Sequence, residues 1–288
     1  MLKSYVSLTK PGIIFGNLIS VAAGFFLAAK SEPATGSLLA VTMVGVALVI
    51  ASGCVVNNIF DRDIDFKMAR TRNREMVQGK ISIDAAFVYA LVLLLAGTAT
   101  LYLKVNPLST VVVLLGYVFY VFFYTMWYKR TSVYGTAVGS ISGAVPPLVG
   151  YLAVTNYIGI EAILLFTLFC LWQMPHSYAI AMFRIQDYRE AGIPVLPVKS
   201  GIMKAQKHMK AYVVAFSVVA MALFLFGQAE YEFLAVAALV CLYWLRVTFR
   251  PVNYDNYEFW SKAVFKASLI VVMGISGILG LQLFTLTA

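Results

Sequence analysis

Uncharged apolar stretches recur along the whole chain and are separated by short polar segments. Each stretch runs for roughly 17 to 22 residues, and about 20 residues of α-helix cross the hydrocarbon core of a bilayer. The pattern predicts nine membrane-spanning helices, over residues 13–29, 38–56, 85–103, 108–128, 133–154, 162–183, 211–227, 231–249 and 267–284. We therefore expect an all-α integral membrane protein that forms one domain over residues 1–288.

The composition points to the same class of protein. Hydrophobic residues make up 61% of the chain and charged residues 12%, whereas a soluble domain has about 25% charged residues. This is too little charge to cover the surface of a globular protein in water. A soluble fold is therefore excluded.

The basic residues predict how the chain is oriented in the membrane. The N-terminus and the connections after the even-numbered spans carry 20 of the 22 Lys and Arg residues, and Lys30 and Lys104 fall on the other side. Because Lys and Arg are enriched in cytoplasmic loops, we expect a cytoplasmic N-terminus and a C-terminus on the opposite side. The net charge of +9 is explained by this topology and indicates no nucleic-acid partner.

The sequence NNIFDRDID, residues 57–65, follows the second predicted span and places three carboxylates at its end. Asn57, Asp61 and Asp65 are spaced by four, so they share one face if the helix continues, whereas Asp63 points away. Carboxylates at this spacing repel each other unless a cation lies between them. Oxygen ligands without a nearby His or Cys suit Mg²⁺.

Arginines follow this acidic face in the run ARTRNREMVQGK, residues 69–80. A guanidinium matches phosphate oxygens in a bidentate geometry, so Arg70, Arg72 and Arg74 beside bound Mg²⁺ predict a diphosphate site. The alternative is a solvated helix end, whose acids pair with Arg62, Lys67 and Arg70.

A second polar segment follows the sixth predicted span, in LWQMPHSYAIAMFRIQDYREAGIPVLP, residues 171–197. His176 lies within the span and follows Pro175, which disrupts helical hydrogen bonding. Ionisable groups at membrane depth are candidates for function, and the alternative is a histidine that bonds across the helix bundle. Arg184 and Asp187 lie beyond the span, on the same predicted side as the first cluster, so the two clusters could meet over one cavity.

Aromatic side chains are abundant in the fourth predicted span. The residues are Tyr117, Phe119, Tyr120, Phe122, Phe123 and Tyr124. They either shield an allylic cation by cation–π contact or pack against lipid.

Residues 57–65 resemble the NxxxDxxxD motif of the UbiA superfamily of intramembrane prenyltransferases. Further stretches narrow the resemblance to the protoheme IX farnesyltransferase branch of that superfamily. They are LTKPGI at 8–13, DIDFKMARTRNR at 63–74, YTMWYKR at 124–130, SGAVPPLVGY at 142–151 and WQMPHSYAIAMFRIQDYREAGIPVLPV at 172–198. The similarity covers nearly the whole chain.

The resemblance implies a nine-helix bundle with a cytoplasm-facing cavity in a bacterial inner membrane. It also implies that the chain uses Mg²⁺ and farnesyl diphosphate to convert heme B to heme O, with heme B as a substrate and not a permanent cofactor. A heme-copper terminal oxidase or a heme A synthase would receive the product.

The family motifs also imply roles for individual residues of this chain. Asn57, Asp61 and Asp65 would be catalytic and would bind Mg²⁺. The diphosphate would be bound by Arg70, Arg72, Lys129 and Arg130. His176 would be a further catalytic residue that approaches the heme. Arg184 and Asp187 would form the second motif, with Asp187 as a metal ligand.

Two other functions stay open at this point. One is prenylation of an aromatic quinone precursor by the same chemistry, and the other is transport of heme or lipid without catalysis. General superfamily members carry a second DxxxD motif, whereas this chain has Asp187 alone, with Arg184 where an acid would be expected. This reduced motif is shared by heme-modifying members and, together with His176, argues against a quinone precursor. Transporters usually place charges near the midplane, whereas these charges cluster at one rim.

Overall fold

The computed structural model describes residues 2–30, 34–226 and 231–286, and these residues form helices and turns without any β-strand. Nine helices in this part of the chain are long and apolar enough to cross a membrane. We number them span 1 to span 9: Pro11–Ala28, Gly36–Phe60, Ile83–Lys104, Pro107–Thr131, Gly135–Thr155, Ile160–Phe183, Ile202–Phe226, Tyr231–Thr248 and Tyr257–Leu286. Shorter helices cover Leu2–Leu8, Arg62–Lys67, Ile185–Glu190, Leu196–Ser200 and Tyr254–Asn256.

Each predicted span coincides with one of these helices, so the all-α, nine-helix prediction is confirmed. The largest differences are at the starts of span 7 and span 9, which begin at Ile202 and Tyr257. Lysines near these starts ended the uncharged stretches, but lysine is a good helix former and does not end a helix. The predicted end of the seventh span, Gly227, lies outside the described residues.

Span 4 changes its winding along its length. It is α-helical over Pro107–Val118, π-helical over Phe119–Tyr128 and α-helical again over Lys129–Thr131. π-Helical turns are rare and are often found at functional sites. The wider winding changes which side chains share a face of this span, in the same segment that carries most of its aromatic residues.

Small residues let spans 1 and 5 approach each other closely. A Cβ atom added at Gly150 would overlap the Val21 carbonyl, and one added at Gly24 would overlap the Pro147 carbonyl. Close backbone contact of this kind is a main source of helix association in membranes, because lipid supplies little hydrophobic drive. The two glycines therefore hold span 1 against the C-terminal half of span 5.

The two long connections, after span 2 and after span 6, meet at one end of the bundle. Ile64 and Met68 of the first connection form a small apolar cluster with Ala191 and Ile193 of the second. We call this end of the molecule the charged end. The contact confirms the expectation that the two polar clusters of the sequence lie close together.

Candidate active site

A cavity of about 430 Å³ opens among the spans near the charged end. Pockets that bind one organic ligand commonly have volumes of this size. Its inner wall is apolar and includes Val46, Val49, Ile50, Val113 and Val145. Its outer part is polar, so the cavity suits an elongated molecule with an apolar tail and a charged head.

Asn57, Asp61 and Asp65 line the charged part of this cavity together. Span 2 ends at Phe60, but backbone hydrogen bonds from Asp61 to Asn57 and from Asp65 to Asp61 carry the helical rise onward. The three side chains therefore share one face, as the spacing predicted, and each is buried. Asp63 lies outside the cavity and is mostly exposed.

Each buried acid is paired with a basic side chain, which comes from span 4 for Asp61 and from the same connection for Asp65. Lys129, at the end of span 4, is hydrogen-bonded to Asp61. Arg74 donates from Nη1 to Asp65 Oδ2 at 2.6 Å. These partners differ from those of the alternative interpretation, in which Arg62, Lys67 and Arg70 would have paired with the acids in solvent.

Lys10 contributes a further cation from just before span 1. It has a left-handed backbone conformation, with φ of 53°, between the Leu2–Leu8 helix and Pro11. This bend directs its Nζ to Asn57 Oδ1 at 2.5 Å, and Asn57 in turn donates to Asp61 Oδ2 at 2.7 Å. Desolvation by burial lowers the pKa of Lys10 to about 8. In the sequence, Lys10 is one of the basic residues that predict the topology, and it also lies within the LTKPGI stretch.

The second connection reaches the same cavity through Tyr188, and its Asp187 contacts Arg70 of the first connection. Arg70 lines the cavity and lies 3.8 Å from Asp187, measured from Nε to Oδ2. Tyr188 also lines the cavity, and burial raises the pKa of its hydroxyl. Asp187 is thus joined to the site through Arg70 and does not line the cavity itself.

Besides Asp187, four of the residues predicted for the site lie outside the cavity lining. Arg72 is exposed, and Arg184 is exposed beside the Phe183 ring at 5.8 Å. Arg130 donates to both carboxylate oxygens of Asp63, at 2.8 and 2.9 Å, and holds the pKa of that acid to about 2. The fourth is His176, whose ring packs between spans 6 and 9.

The aromatic residues of span 4 divide between the cavity and the outer surface. Tyr117, Tyr120 and Tyr124 line the cavity, whereas Phe122 and Phe123 are exposed on the outside of the bundle. The tyrosines place aromatic rings beside the cavity, and the phenylalanines are positioned to contact lipid.

Comparison with known proteins now identifies the family. The model of the UbiA prenyltransferase family matches residues 17–270. The chain belongs to the UbiA prenyltransferase family. It is a multi-pass membrane enzyme, and the cavity described above is the candidate active site of a prenyltransferase.

Close relatives of this UbiA prenyltransferase carry one functional name. The chain is 78% identical to protoheme IX farnesyltransferase 1 of Vibrio campbellii, over 99% of both chains. It is 68% identical to the protoheme IX farnesyltransferase of Aliivibrio salmonicida, over 98% of both chains. A protoheme IX farnesyltransferase 2 of Pseudomonas putida is 50% identical, over 97% of this chain and 95% of its own length.

Solved structures share the fold at much lower identity. A digeranylgeranylglyceryl phosphate synthase aligns with a TM-score of 0.79 and 19% identity, over 97% of this chain and 98% of its own. A UbiA homologue from Archaeoglobus fulgidus bound to GPP and Mg²⁺ aligns with a TM-score of 0.70 and 19% identity, over 93% of this chain and 99% of its own. These similarities establish the UbiA fold.

The donor set of the UbiA cavity fits a magnesium ion that also binds phosphate. Asp61 Oδ1 is buried without a hydrogen-bond partner among the described residues, and Asp65 and Asn57 add oxygens on the same face. No group of three His, Cys, Asp or Glu side chains in this part of the chain is placed to hold a metal alone. Because Mg²⁺ often combines one or two carboxylates with substrate phosphates, a phosphorylated substrate would complete the site.

Gln173 and Ser177 are cavity residues that the sequence analysis did not single out. They are four residues apart and lie on one face of span 6. A Cβ atom at Gly143 would overlap the Gln173 side chain, so this glycine makes room for the amide. The i, i+4 spacing of two polar residues in an apolar span was the available signal.

Proposed function

We propose that this UbiA prenyltransferase transfers the farnesyl group of farnesyl diphosphate to a vinyl group of protoheme IX with addition of water, giving heme O and diphosphate. The enzyme works with Mg²⁺ in a bacterial inner membrane, with its N-terminus and cavity on the cytoplasmic side and its C-terminus on the other side. A heme-copper terminal oxidase or a heme A synthase consumes the heme O.

One observation carries this proposal: the cavity combines an apolar inner wall with a charged outer part that has an excess of positive charge. Its lining contains four cationic side chains, Lys10, Arg70, Arg74 and Lys129, and two anionic ones, Asp61 and Asp65. This arrangement suits a prenyl chain joined to a diphosphate. The shared name of the relatives, at up to 78% identity, supports protoheme IX as the acceptor.

The reaction requires the C1–O bond of farnesyl diphosphate to break, with the electron pair leaving on the diphosphate. Lys129, Arg74 and Lys10 are positioned to stabilise the charge that develops on this leaving group. Asp61 and Asp65 hold Lys129 and Arg74 in place, Asn57 holds Lys10, and the two aspartates provide carboxylate oxygens for Mg²⁺. When bound, Mg²⁺ supplies Lewis-acid stabilisation of the phosphate oxygens.

The acceptor is a carbon nucleophile, so the reaction needs no Ser or Cys nucleophile. The vinyl group of the heme forms a bond to farnesyl C1, and the cation that results is conjugated with the porphyrin. Water then adds to this cation and loses a proton, which leaves the hydroxyl group of heme O. Tyr120 and Tyr124 line the cavity, where their rings can face the allylic cation.

The test is to incubate the purified protein in lipid nanodiscs with heme B, farnesyl diphosphate and MgCl₂, and to identify the extracted heme by mass spectrometry. We expect heme O in the wild type and none after chelation of Mg²⁺ with EDTA. Asp84→Asn, which alters an exposed acid at the start of span 3, is the control for purification and folding. Unchanged heme B, under conditions where the Vibrio campbellii relative makes heme O, would refute the proposal.

A further inference from the structure

His176 lies in span 6 beside the cavity but not in its lining. Its ring stacks on Trp172, with centroids 4.6 Å apart, and is 4.9 Å from the ring of Phe265 in span 9. Gln173 and Ser177 of the same helix line the cavity. The imidazole therefore flanks the wall of the prenyl cavity, in an aromatic environment between two spans.

The hydrogen bonds around His176 define which ring nitrogen carries the hydrogen. Nδ1 lies 2.8 Å from Ser268 Oγ, and the Ser268 hydroxyl donates its hydrogen to the Phe265 carbonyl at 2.6 Å. The Ser268 oxygen is therefore left as the acceptor, and Nδ1 is the donor. The lone pair of the neutral imidazole is then on Nε2.

This arrangement is typical of histidines that bind metals. A metal-ligating histidine usually donates its other ring N–H to an oxygen, which fixes both the tautomer and the orientation of the ring. Nε2 of His176 has no hydrogen-bond partner among the described residues, and the side chain is only partly buried. The lone pair is thus oriented by the hydrogen bond to Ser268 and has no partner in this part of the chain.

We infer that Nε2 of His176 coordinates the iron of the heme acceptor, at a site distinct from the prenyl diphosphate site. The inference rests on the proposed function, since it assigns the position of that acceptor. Trp172 and Phe265 provide an apolar surface for the macrocycle. Iron coordination would hold the porphyrin beside the wall formed by Gln173 and Ser177, next to the prenyl chain.

A histidine that only joins spans 6 and 9 is the competing explanation. Trp172 Nε1 donates to the Ser268 carbonyl at 2.8 Å, so these spans stay joined without the imidazole. A structural role requires the Nδ1 hydrogen bond and makes no use of Nε2. A test must therefore depend on the metal in the porphyrin.

The experiment measures binding of two porphyrins to the full-length protein in lipid nanodiscs, without farnesyl diphosphate. The probes are hemin and metal-free protoporphyrin IX, and the variants are His176→Ala and His208→Ala. His208 is the other of the two histidines in the chain, so its variant is a matched control. The measurements are the dissociation constant, from fluorescence quenching, and the Soret spectrum of bound hemin.

We expect His176→Ala to weaken hemin binding by about tenfold or more, as loss of a metal-site interaction commonly does, and to leave protoporphyrin binding unchanged. The Soret band should shift in this variant, and added imidazole should restore the wild-type spectrum. His208→Ala should match the wild type for both probes. Equal hemin affinities and spectra in wild type and His176→Ala would overturn the inference.

Folding of the variant is checked by its binding of farnesyl thiodiphosphate, which does not involve His176. If His176→Ala fails this check, His176→Gln replaces it, because the amide can still bond to Ser268 but is a poor ligand for heme iron. The inference then requires the same loss of hemin affinity in His176→Gln, and wild-type affinity would overturn it.

The inference and the proposed function can fail separately. Formation of heme O by the wild type, with hemin binding that is independent of His176, would overturn only the inference. Binding of hemin through His176, without any heme O formed, would support the iron site and refute the transferase activity.

Discussion

The two long connections at the charged end occupy similar places in the fold but differ in whether their charged side chains are buried. The connection after span 2 buries Asp61 and Asp65, with side chains 1% and 6% exposed, each paired with a basic residue. The connection after span 6 carries Asp187, paired at 3.8 Å with Arg70 from the first connection, and an outward-facing Arg184.

The difference shows that buried charge depends on partners that come from several elements. An isolated ion is costly to remove from water, so it is kept in the interior only when paired and hydrogen-bonded. Lys10 and Lys129 reach the first connection from two other parts of the chain, and Arg74 pairs with Asp65 within the connection itself. The second connection instead contributes Tyr188, Ile193 and Val195 to the cavity wall. In the proposed reaction, the first connection would bind the charged group of the substrate and the second would enclose it.

The largest expected effect is loss of a carboxylate from the first connection. Asp61→Asn or Asp65→Asn should lower kcat/KM by about 10²–10³-fold, because charge stabilisation in the transition state is lost at the leaving group. The measurement is heme O formation across a range of Mg²⁺ concentrations, with Asp84→Asn as the control. If Asp61→Asn kept an activity within threefold of the wild type, the first connection would have no part in the mechanism.

Breaking the buried pair of Lys129 and Asp61 should cost stability as well as activity. Lys129→Met leaves a buried carboxylate without its closest cation and should lower the free energy of unfolding by about 3 kcal/mol. The double variant Lys129→Met with Asp61→Asn should regain much of this stability but remain inactive. Unfolding in mixed detergent micelles measures the free energy of unfolding. A double variant as unstable as Lys129→Met would contradict the explanation that an unpaired buried carboxylate causes the loss of stability.

A comparison of Arg74 with Arg72 tests the placement of the arginines. Arg74 lines the cavity and pairs with Asp65, whereas Arg72 is exposed outside it. Arg74→Gln should weaken binding of farnesyl thiodiphosphate by about tenfold, in line with 1.5–3 kcal/mol for a charged hydrogen bond. Arg72→Gln should stay within about twofold of the wild type. A larger loss of affinity in Arg72→Gln than in Arg74→Gln would favour the prediction from the sequence, in which Arg72 binds the diphosphate.

The smallest effects are expected in the second connection. Asp187→Asn removes a long, partly exposed ion pair with Arg70, which is worth about 0–1 kcal/mol, and should change kcat/KM by no more than about fivefold. Arg184→Gln should change it by less than about twofold. A loss of 10²-fold in Asp187→Asn would show that this carboxylate contacts the substrate or its metal, and that the two connections are functionally equivalent.

Much of the fold could be predicted because its periodic signals are local. The nine spans follow from uncharged stretches, and the shared face of Asn57, Asp61 and Asp65 follows from their spacing. The same spacing correctly excluded Asp63. The starts of spans 7 and 9 could not be predicted in this way, because lysines end an uncharged stretch without ending a helix.

The site was harder to predict, since cavity lining is a property of three dimensions. Arg72 and Arg74 are two residues apart in one basic run, and nothing in that run indicates that Arg74 faces Asp65. Lys10 is far from Asn57 in the chain and reaches it through a left-handed bend before span 1. His176 was a candidate site residue in the sequence, yet its ring packs against span 9 and lies outside the cavity lining.

The sequence by itself determined the class of protein, the number of spans and the acidic face at the end of span 2. These depend on composition and on helical periodicity, which act over a few neighbouring residues. The tertiary structure alone decided which cations neutralise that face, which tyrosines line the cavity and what His176 contacts. Such choices depend on side chains from distant helices that share one buried volume, where each ion must find a partner because water is excluded.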